Sequence, residues 1–135
     1  MRVVFDTNVL LAGVFTRGVC EAVLDECLGN PEHAVVLSEY IFREFSRHAG
    51  SKFDVPSAEV RRLVGLLKSQ VELVKPSPVP ADSCRDPDDL EILGTLVSAK
   101  ADCLVSGDRD LMDLKEFRTI PILSPRAFHD LLRLR

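Results

Sequence analysis

The stretch Val3-Val4-Phe5-Asp6-Thr7-Asn8 places the strongest constraint on how this chain can fold. Three consecutive apolar residues are followed at once by a carboxylate, a hydroxyl and an amide. A short, β-rich apolar run of this kind is typical of a strand buried in the middle of a parallel sheet. In open α/β sheets, ligands bind just outside the carboxyl ends of the strands. Asp6 is therefore a candidate site residue, although it could equally cap the following turn with help from Asn8.

Further apolar runs predict more strands, and helical patterns separate them. The strands are expected at residues 3–5, 34–37, 71–75, 103–106 and 119–123. The helices are expected at residues 18–28, 38–49, 56–69 and 88–100, with a short helical turn at 108–115 and a last helix from Ser124. Residues 9–17 are expected to be an irregular connection, and residues 76–87 a long polar loop. Alternating strands and helices predict an α/β fold with three layers, α/β/α, around a central, mostly parallel sheet of four to five strands.

The length of 135 residues suits one domain that spans residues 1–135. No apolar run approaches the ~20 residues of a membrane span, and the sequence begins with a strand rather than a signal peptide. We therefore expect a cytoplasmic protein that does not associate with membranes.

The net charge of −4 conceals a segregation of charge along the chain. Residues 82–116 contain ten acids and four bases, whereas residues 43–68 contain six bases and three acids. An acidic centre flanked by basic segments suits a metal site that handles a phosphate backbone. Solvated faces could segregate in the same way, so charge alone does not decide.

Helical geometry separates the two glutamates of the helix predicted at residues 38–49. Glu44 lies on the apolar stripe that contains Ile41 and Phe45. Glu39 points about 140° away from that stripe. A carboxylate on an apolar face is costly unless something compensates for its desolvation, which a metal ion would do. The alternative is a glutamate at the rim of the stripe that reaches water.

The same test applies to the segment Asp86-Pro87-Asp88-Asp89. Asp89 precedes Ile92 by three residues and Leu93 by four, so it lies on the inward stripe of the following helix, at its first turn. Asp86 precedes the helix, where it could cap it or support a ligand. Acids at a helix start need no functional explanation, because the helix dipole favours them there. Only the inward direction distinguishes Asp89.

The segment Leu104-Val105-Ser106-Gly107-Asp108-Arg109-Asp110 repeats the pattern of the first strand. A buried strand ends, and a hydroxyl, a flexible glycine and a carboxylate follow. Asp108 is therefore expected at the same sheet edge as Asp6. Asp110 is either a supporting ligand or an ordinary acid in the first turn of a helix.

Taken together and in this order, the four motifs resemble those of the PIN-domain nuclease family. They are Phe5-Asp6-Thr7-Asn8, Ser38 with Glu44, Arg85-Asp86-Pro87-Asp88-Asp89 and Val105-Ser106-Gly107-Asp108-Arg109-Asp110. The resemblance covers nearly the whole chain. It is greatest for short, stand-alone prokaryotic PIN proteins that carry the RDPDD stretch and are described as toxins of toxin–antitoxin pairs. Two departures are mild: Ser106 stands where the family often has threonine, and Gly94 falls where alanine is expected.

The acidic ligands of the family map onto the residues that the stripe argument selects independently: Asp6, Glu44, Asp89 and Asp108. Asp110 is expected to join them at the metal. Supporting roles are expected for Asn8, Asp86 and Ser106. The candidates for steering the RNA backbone are Arg47, Lys52, Arg61 and Arg62.

These residues predict metal-dependent hydrolysis of phosphodiester bonds in single-stranded RNA. Several carboxylates brought together cannot all stay ionised without a counter-charge, and oxygen ligands favour Mg²⁺ or Mn²⁺ over zinc. One or two ions would activate a water molecule and stabilise the transition state. The resemblance implies products with 5′-phosphate and 3′-hydroxyl ends. We further expect a cognate antitoxin protein as a partner, and a homodimer.

Two other functional classes are alternatives to the nuclease. A non-catalytic module could bind nucleic acid or a partner protein and use the acids to hold a structural ion. A phosphatase or receiver-like domain would also have an acidic pocket. The receiver needs a lysine after a late strand, and residues 119–123 contain none; the phosphatase needs a second acid two residues after Asp6, where Asn8 stands.

Overall fold

A six-stranded sheet forms the centre of the fold in the computed structural model, which describes residues 1–134. The strands are β1 (Arg2–Phe5), β2 (Ala34–Ser38), β3 (Glu72–Val74), β4 (Cys103–Val105), β5 (Glu116–Phe117) and β6 (Ile120–Leu123). They lie in the order β3-β2-β1-β4-β6-β5, and each neighbouring pair is parallel except β5 with β6. The expectation of four to five strands was too low, because the two residues of β5 are too few to produce a recognisable pattern.

Seven helices flank the sheet in the described part of the chain. They are α1 (Thr7–Phe15), α2 (Val19–Gly29), α3 (Glu39–Phe53), α4 (Ser57–Lys68), α5 (Asp89–Ala99), α6 (Arg109–Leu114) and α7 (Pro125–Arg133). The predicted three-layer α/β/α architecture around a mostly parallel sheet is confirmed. Within residues 1–134, no single helix is long and apolar enough to cross a membrane. Helices α1 and α2 meet these criteria only when they are taken together, and they are bent by 93° relative to each other.

The expectation of an irregular connection at residues 9–17 was wrong, because helix α1 begins directly after β1. The carboxylate of Asp6 caps this helix by accepting a hydrogen bond from the backbone N–H of Val9 at 3.0 Å. Gly13 does not break the helix. A Cβ at this position would lie 2.8 Å from Cδ2 of Leu24, so the glycine lets α1 and α2 pack closely.

Helix α3 is longer than predicted. Ser38 is its N-cap, as expected, with its hydroxyl accepting from the N–H of Ile41 at 3.5 Å. Gly50 was expected to end the helix but lies inside it. The helix ends at Phe53, and Asp54 follows in the left-handed conformation with a φ of 55°.

The carboxyl ends of the parallel strands bring polar residues to one edge of the sheet. The core strands β1 and β4 are fully buried at Val4 and Leu104, and they pair directly. Asp6 follows β1 and Ser106 follows β4, so both lie at this edge. The edge therefore holds two of the residues that the sequence analysis selected, 100 positions apart.

The hairpin between β5 and β6 is strained at its tip. Arg118 and Thr119 both have a positive φ, of 50° and 69°, as the two central residues of a type I′ turn do. Asn and Gly suit these positions, whereas an arginine and a β-branched threonine do not. We expect the double substitution Arg118→Asn/Thr119→Gly to stabilise the protein by about 1 kcal/mol, measured by urea denaturation. Thr119→Ala is the control and should gain little; an unchanged or lower midpoint for the double variant would contradict the strain.

Candidate metal centre

An open acidic pocket of about 180 Å³ lies at the carboxyl edge of the sheet. It is lined by the start of α1, one face of α3, the segment before α5 and the start of α6. The lining residues are Asp6, Thr7, Asn8, Tyr40, Glu44, Arg47, His48, Asp86, Asp88, Asp89, Ile92, Asp108 and Leu111. Six of these residues are acids, so the pocket concentrates negative charge that needs a counter-ion.

Asp6 directly follows the last residue of β1, at the edge of the sheet. Its side chain is only 4% exposed. One carboxylate oxygen caps α1 through the N–H of Val9, and the other accepts a short hydrogen bond from the hydroxyl of Ser106. Burial raises the pKa of Asp6, while these two hydrogen bonds act in the opposite direction. Asp6 therefore both caps α1 and lines the pocket.

Ser106 connects Asp6 with Asp108. Its buried hydroxyl donates to Asp6 and accepts from the backbone N–H of Asp108 at 3.0 Å. Asp108 in turn caps α6, with its Oδ1 accepting from the N–H groups of Asp110 at 2.8 Å and Leu111 at 3.2 Å. The cap hydrogen bonds fix the orientation of the Asp108 carboxylate at the pocket wall.

Asp89 is a buried acid of the pocket with a strongly raised pKa. It is 8% exposed, and its Oδ2 is buried without a hydrogen-bond partner among the described residues. Desolvation, followed by the negative charges of Asp108 and Asp86, raises the pKa of Asp89 to about 7. A buried carboxylate oxygen without a donor is costly, and a divalent cation is the partner that would remove this cost.

The aspartates at positions 89, 108 and 110 lie within reach of one ion. One carboxylate oxygen from each lies within 4.8 Å of the others, and oxygens on opposite sides of a bound Mg²⁺ are about 4 Å apart. The donor set consists of hard oxygens, which suits Mg²⁺ or Mn²⁺. Among the described residues, Asp6 and Glu44 do not belong to this group. They line the pocket together with Asp89 and Asp108.

Glu44 lies at the rim of the apolar stripe, with 22% of its side chain exposed. Its Oε2 accepts hydrogen bonds from Arg47, at 2.5 Å from Nη2 and 3.1 Å from Nε. Nε2 of His48 lies 3.5 Å from the same oxygen. The cost of desolvating Glu44, which a metal ion was expected to offset, is therefore offset in this structure by Arg47.

The residues predicted to have supporting roles also line the pocket or contact its acids. Asn8 lines it with an exposed side chain. Asp86 lines it too, and its Oδ1 accepts from the N–H of Asp88 at 3.0 Å, which shapes the turn before α5. Ser106 does not line the pocket, but it orients two acids that do. Their functional roles stay predictions.

The four basic residues predicted to steer RNA divide into two groups. Arg47 lines the acidic pocket. Lys52, Arg61 and Arg62 are exposed and lie outside the lining. Arg62 is paired with Glu59 on α4. A contact of these three residues with RNA would therefore have to be made outside the pocket.

Tyr40 and His48 line the pocket but were not predicted as site residues. Each lies four positions from Glu44 on α3, and that spacing was the available signal. Burial and the nearby acids raise the pKa of Tyr40 to about 12. Its hydroxyl therefore stays protonated at neutral pH and can donate a hydrogen bond.

Two buried hydroxyls fix α3 against α5, the helices that contribute Glu44 and Asp89. The hydroxyls of Ser38 and Thr95 hydrogen-bond at 3.0 Å, and both residues are fully buried. Because Ser38 also caps α3, this contact sets the position of the start of α3 relative to the middle of α5. It thereby limits how far the two acids can move apart.

All the acids of the pocket lie within a segment that matches a known protein family. The PIN domain matches residues 2–110. The chain belongs to the PIN-domain family. No curated protein matches this PIN domain in sequence.

Three solved structures resemble this PIN domain along nearly their whole length. VapBC2 from Rickettsia felis, bound to a DNA fragment from its promoter, is 11% identical with a TM-score of 0.65, covering 92% of this chain and 98% of that chain. VapBC-1 from nontypeable Haemophilus influenzae is 16% identical with a TM-score of 0.66, covering 93% and 99%. A toxin–antitoxin complex from Klebsiella pneumoniae is 20% identical with a TM-score of 0.59, covering 91% and 97%. At these identities the likeness establishes the fold alone.

Proposed function

We propose that this PIN domain is a metal-dependent endoribonuclease that hydrolyses phosphodiester bonds of single-stranded RNA. The observation that supports this proposal most directly is Asp89, a buried carboxylate among other acids whose Oδ2 has no hydrogen-bond partner within residues 1–134. Burial and the neighbouring acids raise the pKa of Asp89 to about 7, and perturbed pKa values of this kind cluster at functional sites. A bound divalent cation explains this arrangement.

The cation would be Mg²⁺ or Mn²⁺, held by Asp89, Asp108 and Asp110, with Asp6 and Glu44 facing it across the pocket. When bound, such an ion lowers the pKa of a coordinated water and stabilises the charge that develops on the phosphate. Two ions could be accommodated if Asp6 and Glu44 also serve as ligands. The family resemblance implies Asp6, Glu44, Asp89 and Asp108 as ligands.

The side chains of the chain itself position the reaction. Ser106 and the α1 N-terminus hold Asp6 in one orientation, and the α6 N-terminus does the same for Asp108. Preorganised ligands of this kind need no rearrangement during the reaction. Arg47 at the pocket wall can attract the RNA backbone.

We also propose that the protein is the toxin of a toxin–antitoxin pair, with a cognate antitoxin protein as its partner, and that it acts in the cytoplasm as a homodimer. The support is the likeness in fold to solved toxin–antitoxin complexes. Co-expression with the product of a neighbouring short reading frame tests this part. Loss of cleavage in the co-purified complex is the expected result.

The experiment that tests the nuclease uses purified protein and a labelled single-stranded RNA. We expect cleavage with Mn²⁺ or Mg²⁺, products with 5′-phosphate ends, and no cleavage after chelation with EDTA. Asp6→Asn should reduce the rate at least about 100-fold, because it alters a charge next to the metal. Asp82→Asn, an exposed acid outside the pocket lining, is the matched control and should cleave normally.

Two outcomes contradict the proposal. Intact RNA under conditions in which wild type and Asp6→Asn behave identically removes the enzymatic function. Metal-independent RNA binding that Asp89→Ala does not diminish favours the non-catalytic module instead. A DNA strand of the same sequence, included in parallel, determines whether the activity is restricted to RNA.

A further inference from the structure

The guanidinium of Arg47 donates two hydrogen bonds to the carboxylate of Glu44. Two of its nitrogens lie 2.5 Å and 3.1 Å from Oε2, and Nη2 also lies 3.4 Å from Nε2 of His48. Both contacts with Glu44 are made to one oxygen, Oε2, of a residue that lines the acidic pocket. A divalent cation that binds Oε2 would therefore compete with Arg47 for the same atom.

The pairing has the properties of a contact that can exchange. Arg47 is 66% exposed, whereas Glu44 is 22% exposed. Ion pairs between exposed side chains three positions apart on a helix are weak. A divalent cation held by several carboxylates interacts far more strongly with each of them. The cation would displace Arg47 without a large rearrangement, because only one exposed side chain has to rotate.

Once displaced, the guanidinium remains tethered at the pocket wall. Among the described residues that line the pocket, Arg47 is the only lysine or arginine. An arginine presents a planar pair of donors that matches two oxygens of a phosphate. The released side chain can therefore bind a phosphate at the pocket wall.

We propose that Arg47 is an exchangeable counter-ion of the metal centre. It neutralises Glu44 when the pocket holds no cation, and it is released to bind a phosphate group of the nucleic acid when a cation takes over the carboxylate. Metal binding thereby creates the phosphate site. This inference rests on the proposed function, since it needs both a cation and a phosphodiester ligand.

The test compares the full-length wild type with Arg47→Gln, and with Arg43→Gln as the control. Arg43 is an exposed arginine on α3, next to Glu44 in sequence, so its substitution removes the same charge from the same helix. Mn²⁺ affinity is measured by isothermal titration calorimetry. Binding of a fluorescein-labelled single-stranded RNA is measured by anisotropy, once in EDTA and once in Ca²⁺, with the RNA checked for integrity on a gel.

We expect Arg47→Gln to bind Mn²⁺ about 3-fold more tightly than Arg43→Gln, because a competitor for Glu44 is gone. RNA affinity should fall about 5-fold in Ca²⁺ and remain unchanged in EDTA, where Arg47 is engaged with Glu44. In wild-type protein, the Nε–Hε NMR signal that Arg47→Gln removes should shift on saturation with Mg²⁺.

The outcomes that overturn the exchange differ from those that overturn the nuclease. Weaker Mn²⁺ binding by Arg47→Gln would mean that Arg47 orients Glu44 for the metal. Equal losses of RNA affinity in EDTA and Ca²⁺ would make Arg47 a permanent phosphate contact. Effects no larger than those of Arg43→Gln would leave it without a role at the centre. If wild type binds neither Mn²⁺ nor RNA, the proposed function itself fails.

Discussion

Replacing Asp89 with asparagine is expected to stabilise the metal-free protein by about 2 kcal/mol at pH 8 while strongly reducing the proposed metal-dependent activity. The carboxylate is buried beside other acids, and its Oδ2 has no hydrogen-bond partner among the described residues. An uncharged amide of similar shape removes the repulsion. The same substitution removes a proposed metal ligand, so the proposed RNA cleavage should fall at least about 100-fold.

The direction of the pH dependence follows from the raised pKa of Asp89. The pKa is about 7 in the folded protein, against 3.8 for an unperturbed aspartate. Between these values the folded state binds a proton that the unfolded state has lost, so the free energy of unfolding falls as pH rises. A shift of this size corresponds to about 4 kcal/mol, of which we expect about half to remain after local relaxation. The advantage of Asp89→Asn should therefore grow from pH 4 to pH 7 and then level off.

Urea denaturation in EDTA at several pH values measures this difference. Asp82→Asn serves as the control and should change the free energy of unfolding little at each pH. Saturating Mn²⁺ should stabilise wild type by about 3 kcal/mol at 100 times the dissociation constant, and Asp89→Asn should not respond. A destabilised Asp89→Asn, or a difference that does not vary with pH, would show that the carboxylate is satisfied in the folded protein.

Substituting alanine for Gly94 is expected to destabilise the protein by about 3 kcal/mol. Gly94 lies in α5, where the loop after β3 crosses the helix. A Cβ there would overlap the carbonyl oxygen of Ser77 and approach Cβ of Pro76 to 3.2 Å. Because backbone atoms rather than a flexible side chain stand in the way, the loop or the helix would have to shift. The carbonyl of Gly94 also accepts a hydrogen bond from the N–H of Ser77 at 3.0 Å.

Gly65→Ala provides a matched control in another helix. No heavy atom of the described residues lies within 4 Å of a Cβ built at Gly65, and alanine is favoured over glycine in helices, so this variant should gain about 0.5 kcal/mol. Urea midpoints of both variants give the comparison. A Gly94→Ala protein as stable as wild type would mean that the loop adjusts at little cost.

The sequence was sufficient to predict where most of the pocket acids lie. Each prediction rested on a pattern of apolar residues. Asp6 follows the apolar run of a buried strand, and Asp89 lies on the inward apolar stripe of a helix. These patterns reflect burial, which acts along a single element and is therefore visible in sequence. The glycine at position 94 looked like a minor departure, yet it is the point where a loop packs on a helix.

The features that escaped prediction depend on contacts between elements. Gly13 suggested an irregular segment, but it is a close contact with Leu24 on another helix. The pairing of Arg47 with Glu44 depends on the rotamers of two side chains, which periodicity does not specify. Asp110 was expected among the metal ligands, although the sequence left the role of an ordinary helix-start acid open; the fold brings its carboxylate close to those of Asp89 and Asp108.

The hydrogen bond from Ser106 to Asp6 has a consequence for protein synthesis. The two residues are separated by 100 positions, and Asp108, another acid of the pocket, follows Ser106 closely in the chain. A nascent chain that has emerged only as far as its middle has Asp6 and Glu44 but none of their later neighbours. If the proposed function holds, competence for cleavage would arise only near the end of translation.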